Sequence, residues 1–381
     1  MAVSTKIHDY TEHLNQQGLL RKRAVSERCD SNLISFDSND YLSLLGDKRI
    51  SQAYEYGYKH YASGSGASML LSGYHTNHQV LERSFAQLLN VDECIVFSSG
   101  YAANLALTTL LGSIHAHCII DKGIHASMYD GLSLSQAKYS RFLHNDLKSL
   151  SQKLAQYPND SVVLTEGIFS MSGQIAPLSA MSNIIHPSTI PLIVDEAHSF
   201  GVLGAQGKGS ISMHQLTQIE VPLRVISFGK TFASHGALVA GQEEWIQALL
   251  QAGRSLIYST AISPAFSHGL LKTLDVIVAA DDRRGKLKQL IDFFKHKIAS
   301  SPLTWRQSNT AIQQIQLGCP HQALRFAQRL KENGFSCSPI RSPTVNLKST
   351  GLRIVLNYRH SPEQITSLFD KLHTIYEYQS N

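Results

Sequence analysis

No apolar run in this sequence approaches the roughly 18 residues needed to cross a bilayer, which excludes a membrane-spanning helix. Its five cysteines (Cys29, Cys94, Cys118, Cys319 and Cys337) are odd in number and never form a C-x-x-C pair. That spacing argues against a disulfide framework and against a structural metal centre built on zinc. The opening MAVSTKIHDYTEHLNQQ has no apolar stretch of the kind a secretion signal requires, so a cytoplasmic protein is expected. Charge of one sign is also scarce: the net charge is +5, and the densest basic cluster, RKR at 21–23, is short. Nucleic acid as a partner would call for a clustered basic face; an anionic small molecule accounts for this short cluster as easily as a polymer does. Fixed-period repeats and low-complexity segments are absent as well.

What is present is an ordinary globular composition, 43% hydrophobic and 17% charged over 381 residues, enough for a large domain and a smaller one. Short β-rich apolar runs recur at 93–97 (ECIVF), 117–121 (HCIID), 161–167 (SVVLTEG), 191–197 (PLIVDEA), 223–229 (LRVISFG) and 236–241 (GALVAG). Helical patterns separate them, which predicts βαβ units around a mainly parallel sheet covered on both faces. A polar arm (1–48) precedes this large α/β domain (49–282). After it, 283–381 reads as a smaller α+β domain, with strands at 312–317 and within LRIVLN (352–357). Its last helix begins at Ser361 and Pro362, a good N-cap followed by a good first residue.

LIVDEAHSFG (192–201) followed by VISFGKTFAS (225–234) imitates a nucleotide-driven motor. A phosphate loop needs G-x-x-x-x-G-K-[ST], and the place of its first glycine holds Arg224. The order is reversed too, because the phosphate loop should precede the acidic strand. A different chemistry fits these residues. Lys230, after an apolar strand and among Ser227, Gly229 and Thr231, is suited to a lowered pKa and Schiff-base formation with an aldehyde. Asp195 ends a strand that should be buried, where an unpaired carboxylate is costly; a protonated pyridine nitrogen would be a partner. His198 is three residues on, within reach of a phenolic oxygen. FSSGYAAN (97–104) places Ser99, Gly100 and Tyr101 at a strand–helix junction suited to a phosphate. His125 in KGIHASMYDG and Ser170 in TEGIFSMSG follow two further strands, with His125 able to stack on a ring.

These motifs, with GSGASMLLSGYHTNHQVLE (64–82), RFLHND (141–146) and SNDYLSL (38–44), resemble those of the α-oxoamine synthases, pyridoxal 5'-phosphate (PLP) enzymes of fold type I. The resemblance runs from residue 38 to GLRIVLN at 351–357. It implies an aspartate aminotransferase-like α/β fold, PLP as cofactor and a homodimer. It also implies that Lys230 carries the cofactor, Asp195 meets the ring nitrogen, His198 the phenolic oxygen, and His125 stacks on the ring. Ser99, Gly100, Tyr101 and Ser227 would lie at the phosphate, and Thr260 (in IYSTAISP) would reach the neighbouring subunit's phosphate. Ser170 would lie beside cofactor and substrate. Arg21, Asn39, Arg341, Thr344 and Arg353 would serve the substrates, with Arg353 first among the carboxylate ligands. The biotin branch of the family, which takes L-alanine and a pimeloyl thioester on CoA or acyl carrier protein, matches best. Siblings that use glycine or serine with other acyl-CoA donors, or a PLP aminotransferase or lyase, remain as alternatives. Ser43, Ala233 and Ser234 depart from the family pattern, which favours glycine there.

Overall fold

A computed structural model describes residues 2–23, 25, 33–186 and 190–380. Cys29 and the rest of 26–32, part of the expected arm, lie outside the described residues. The strands, in chain order, are β1 (Ile34–Ser35), β2 (Glu93–Phe97), β3 (His117–Asp121), β4 (Tyr139–Phe142), β5 (Ser161–Glu166), β6 (Leu192–Asp195) and β7 (Leu223–Ser227). They continue with β8 (Ala237–Gly241), β9 (Trp305–Arg306), β10 (Ile312–Gln316), β11 (Phe335–Ser336), β12 (Ser338–Ile340) and β13 (Gly351–Val355). The chain clusters into two compact units. The larger comprises Asn39–Ser170 and Ile175–Gly285; the smaller comprises Met1–Ser38, Met171–Gln174 and Lys286–Asn381.

The larger unit is built on a seven-stranded sheet in the order β2-β8-β7-β6-β5-β3-β4. β8 runs antiparallel to both neighbours, and the remaining strands are mutually parallel, so the sheet is mainly parallel as the alternating pattern predicts. Its strands are apolar on both faces because both are covered. Ile95, Phe97, Leu164, Ile193 and Val225 enter one core, together with Leu107 and Leu111 of the helix Gly100–Ser113. Val96 and Ile226 enter a second core, and Val163 and Val194 a third, on the opposite face. Burying one such side chain stabilises by about 1.5–3 kcal/mol. β4 escaped the sequence reading because it is an edge strand with exposed and half-buried residues and no apolar run.

Caps start the helices where polar residues leave the strands. Ser99 accepts the N–H of Ala102 at 3.1 Å, and Asp146 accepts that of Ser149 at 2.7 Å. Ser263 accepts that of Phe266 at 2.9 Å, just ahead of Pro264. Below the site-bearing edge, the buried pair Arg224–Glu196 (3.3 Å) ties β7 to the segment after β6. Glu196 also accepts from Ser210 Oγ and the N–H of Ile211, so its burial is compensated.

The smaller unit contains a four-stranded antiparallel sheet, β12-β13-β10-β9, and the parallel pair β1-β11. Phe294, Trp305 and Phe369 pack edge-on or stacked at centroid distances of 4.9–5.5 Å. The last helix, Pro362–Ser380, starts with reciprocal Ser361–Gln364 bonds of 3.1 and 3.3 Å, the N-terminus read from the sequence. His360 stacks on Phe36 at 4.0 Å; it accepts the N–H of Asn357 at Nδ1 and donates from Nε2 to the carbonyl of Ser35.

Candidate active site

In the larger unit, β3, β5, β6 and β7 are parallel, so their carboxyl ends deliver Asp121, Glu166, Asp195 and Ser227 to one edge of the sheet. Ligands of open α/β sheets bind beyond that edge. Asp195 is 5% exposed. One of its oxygens accepts the N–H of Ala197 at 2.8 Å, and the other accepts Nδ2 of Asn104 at 2.8 Å. Among the described residues no lysine, arginine or histidine pairs with this carboxylate.

Asn104 is itself buried, and its Nδ2 also donates to Ser127 Oγ at 2.9 Å. Ser127 Oγ lies 2.8 Å from Nδ1 of His125, and the N–H of Ser127 donates to the same nitrogen at 3.3 Å. Nδ1 therefore holds a lone pair, and the proton of the neutral ring is on Nε2. Burial lowers the pKa of His125 most; Asp195 opposes the shift and Lys230 adds to it. The imidazole is thus neutral at pH 7, and both Asp195 and Lys230 act on it electrostatically.

Lys230 is half-buried and stands in the turn that follows β7, three residues past the strand end. The turn closes through the N–H of Ala233 to the carbonyl of Lys230 (2.8 Å) and the N–H of Ser234 to the carbonyl of Phe228 (3.0 Å). Thr231 Oγ1 anchors it to the carbonyl of Phe200 at 3.0 Å. Gly201 has φ +85°, and a Cβ there would meet Thr231 Cγ2 at 2.4 Å, so glycine is required for this contact. His198, 5% exposed, shares a 2.6 Å hydrogen bond at Nδ1 with the hydroxyl of Tyr41, which donates in turn to Asn39 Oδ1 at 3.3 Å.

At the helix Gly100–Ser113, Ser99 takes the N–H groups of Ala102 and Ala103, leaving those of Gly100 and Tyr101 for an anion. A Cβ on Gly100 would stand 3.4 Å from Ser227 Oγ, so this helix start and the end of β7 adjoin. The Tyr101 hydroxyl is bonded to Asp130. Thr260 is exposed and lines a small cavity with Phe97, Ser98 and Ser259. Ser170 is buried, and its N–H donates to Glu166 Oε2 at 3.1 Å.

The remaining predicted residues belong to the smaller unit. Arg21 donates to Thr344 Oγ1 at 3.1 Å, and Arg341 donates to the carbonyl of Leu20 at 3.0 Å. Burial, and then Arg21, lower the pKa of Arg341, whose Nε is buried without a partner among the described residues. Both features suit Arg341 to an anionic ligand. Arg353 is buried in the middle of β13, opposite Gln314 and Ser338.

Sequence reasoning missed Asn104, Ser127, Tyr41 and Glu166. Each was inside a quoted motif. The available signal was an isolated polar side chain in an apolar context, as Asn104 among Ala103, Leu105 and Ala106.

The residues present suit PLP. A buried carboxylate without a cation is completed by a protonated ring nitrogen, an amine is at hand for the aldehyde, and a helix start offers N–H groups to the phosphate. A family model for class I and II aminotransferases matches residues 31–372. The chain belongs to that family, whose fold is the PLP-dependent fold type I. The more particular likeness is to 8-amino-7-oxononanoate synthases. That of Pseudomonas syringae pv. tomato is 38% identical over 344 residues, 90% of this chain and 87% of the relative. That of Marinomonas sp. is 36% identical over 374 residues, 96% and 93% of the two chains. The crystal structure of the Francisella tularensis 8-amino-7-oxononanoate synthase is 34% identical, with a TM-score of 0.81 over 92% of this chain and 99% of that one. The serine palmitoyltransferase of S. paucimobilis shares the fold, with a TM-score of 0.91 at 24% identity over 99% of each chain.

Proposed function

We propose that this protein condenses L-alanine with a pimeloyl thioester, on CoA or acyl carrier protein, to give 8-amino-7-oxononanoate, CO2 and the free thiol carrier in biotin biosynthesis. The observation that carries the chemistry is the buried Asp195 carboxylate, oriented by Asn104 and electrostatically linked to His125, on which Lys230 also acts. The likeness to 8-amino-7-oxononanoate synthases over 90% or more of the chain supports the substrate pair.

When bound, PLP supplies an aldehyde for the amino group and a protonated ring that absorbs the electron pair left at Cα. Asp195, held by Asn104 and the N–H of Ala197, keeps the proton on the ring nitrogen. Nζ of Lys230 takes the α-proton of alanine and returns a proton after CO2 leaves. His125 would lie over the ring when the cofactor is bound and, with Nδ1 filled by Ser127, would present Nε2–H to the acyl carbonyl oxygen. His198 holds the phenolic oxygen, steadied by Tyr41 and Asn39. Ser170 stands beside the reacting carbonyl. Gly100, Tyr101, Ser99 and Ser227 would hold the phosphate, and Thr260 would reach the phosphate of a second copy. Arg21, Arg341, Thr344 and Arg353 receive the carboxylates.

A cytoplasmic homodimer is part of this reading. No helix among the described residues is long and apolar enough to cross a membrane. Leu71 and Tyr258 of the larger unit are 81% and 72% exposed and suit burial against a second copy. Purified protein loaded with PLP should release CO2 from alanine only when a pimeloyl thioester is added. Preference for glycine or serine, or for acetyl, succinyl or palmitoyl donors, would move the protein to a sibling activity. Pyridoxamine formation without CO2 would make it an aminotransferase. Sedimentation would read the dimer directly.

A further inference from the structure

Glu166 ends β5 directly opposite Asp195 in the parallel register, and both side chains are directed to the sheet face covered by the helix Gly100–Ser113. It is 2% exposed. Its Oε2 accepts the N–H of Ser170 at 3.1 Å, and the backbone N–H of His125 also approaches the carboxyl. Its Oε1 is buried without a partner among the described residues. The charged groups that face it are Asp195 from β6 and Asp121 from β3, both carboxyls, and no cation pairs with it among the described residues.

An ionised carboxylate in that place would be repelled from two sides and would leave an oxygen without a donor. A carboxylic acid avoids the repulsion. We propose that Glu166 is a positioning residue: a neutral carboxylic acid that holds the backbone of His125 and of Ser170 in place while adding no second negative charge beside Asp195. The direction of its titration agrees, since burial first and Asp195 second raise its pKa well above the ordinary carboxylate range. The role follows from the site's geometry. Asp195 can serve a protonated ring nitrogen only if its neighbour does not compete as a second anion. The loops that carry His125 and Ser170 need an acceptor between them that adds no charge. The proposal rests on the PLP reading of the site.

Two measurements test it. Cofactor-free wild type and Glu166→Gln are unfolded in urea at pH 5, 6 and 7 at one protein concentration. The unfolded glutamate ionises above about pH 4.3, while the folded one keeps its proton. The unfolding constant of the wild type relative to the variant should therefore rise about tenfold per pH unit. A ratio constant within about twofold across the range would overturn the neutral acid. PLP dissociation constants then test positioning. Glu166→Leu, which removes the acceptor, should weaken binding about tenfold or more, and Glu166→Gln should stay within about threefold of wild type. Leucine binding PLP as tightly as wild type, or glutamine as weakly as leucine, would overturn the role. A wild type that bound no PLP would refute the cofactor reading, and the unfolding ratio would still decide the state of Glu166.

Discussion

Asn104 is the residue through which the site can be perturbed with the least ambiguity. Its Nδ2 makes two buried bonds, 2.8 Å to the Asp195 carboxylate and 2.9 Å to Ser127 Oγ. A bond to a charged acceptor contributes about 1.5–3 kcal/mol and a neutral one about 0.5–1.5 kcal/mol. Asn104→Ala should therefore cost about 2–4 kcal/mol of stability in the cofactor-free protein. A double-mutant cycle with Asp195→Ala, read by urea unfolding, should return a coupling of about 1.5–3 kcal/mol for the pair. Because the carboxylate also loses its orientation, the PLP dissociation constant should rise about tenfold or more. Asn104→Asp sharpens the test. Two carboxylates in contact cannot both ionise, so PLP affinity should recover as the pH falls and a shared proton replaces the amide N–H. A coupling under about 0.5 kcal/mol, with PLP affinity unchanged, would refute the claim that Asn104 orients Asp195.

Three further outcomes are expected. Lys230→Ala should abolish turnover and the covalent retention of PLP after borohydride reduction and denaturation, as seen by mass spectrometry; retained turnover would remove Lys230 from its role. Burial lowers the pKa of His360 to about 4, so the unfolded chain binds this proton more readily than the folded one. The contribution is complete above about pH 6.5 and is lost as pH falls towards 4, roughly 3 kcal/mol in all. Wild type should lose that much more stability than His360→Gln between pH 7 and 4, and parallel unfolding profiles would contradict it. Finally, Ala233 sits at φ +51° in the turn that carries Lys230. Ala233→Gly relieves about 1–2 kcal/mol of left-handed strain against a loss of about 0.4–1 kcal/mol through the unfolded chain, so a small rise in melting temperature is expected; a fall would show that the strain is not there.

The same turn explains a pattern that the sequence left as a detail. Ser43 and Ala233, two of the places where the chain departs from a family preference for glycine, both have positive φ, +55° and +51°. Single residues tolerate that region at a modest cost, so both loops keep their course without glycine.

The core strands of the larger sheet were legible because both of their faces are buried. Runs such as VVL in β5 and LIV in β6 have no polar alternation to confuse the reading. Strand direction was not written there: β8 reads like its neighbours yet runs antiparallel. Edge strands such as β4 and two-residue strands such as β11 have little apolar signal and form because a neighbour offers backbone groups. Asp195, His198 and Lys230 could be picked out as chemistry-bearing residues from where they follow apolar strands. The partners that give them their state come from distant positions: Asn104 for Asp195, Tyr41 for His198, Ser127 for His125.

By itself, then, the sequence determined the class of fold, the order of the chemical groups along it and the cofactor they suit, because hydrophobic periodicity and strand-end residues are local properties. Only the tertiary structure decided which polar atoms satisfy one another, because burial and hydrogen bonding depend on contacts across the sheet. That is why Glu166, one letter in TEGIFSMSG, becomes a buried acid facing Asp195 only when β5 and β6 lie side by side.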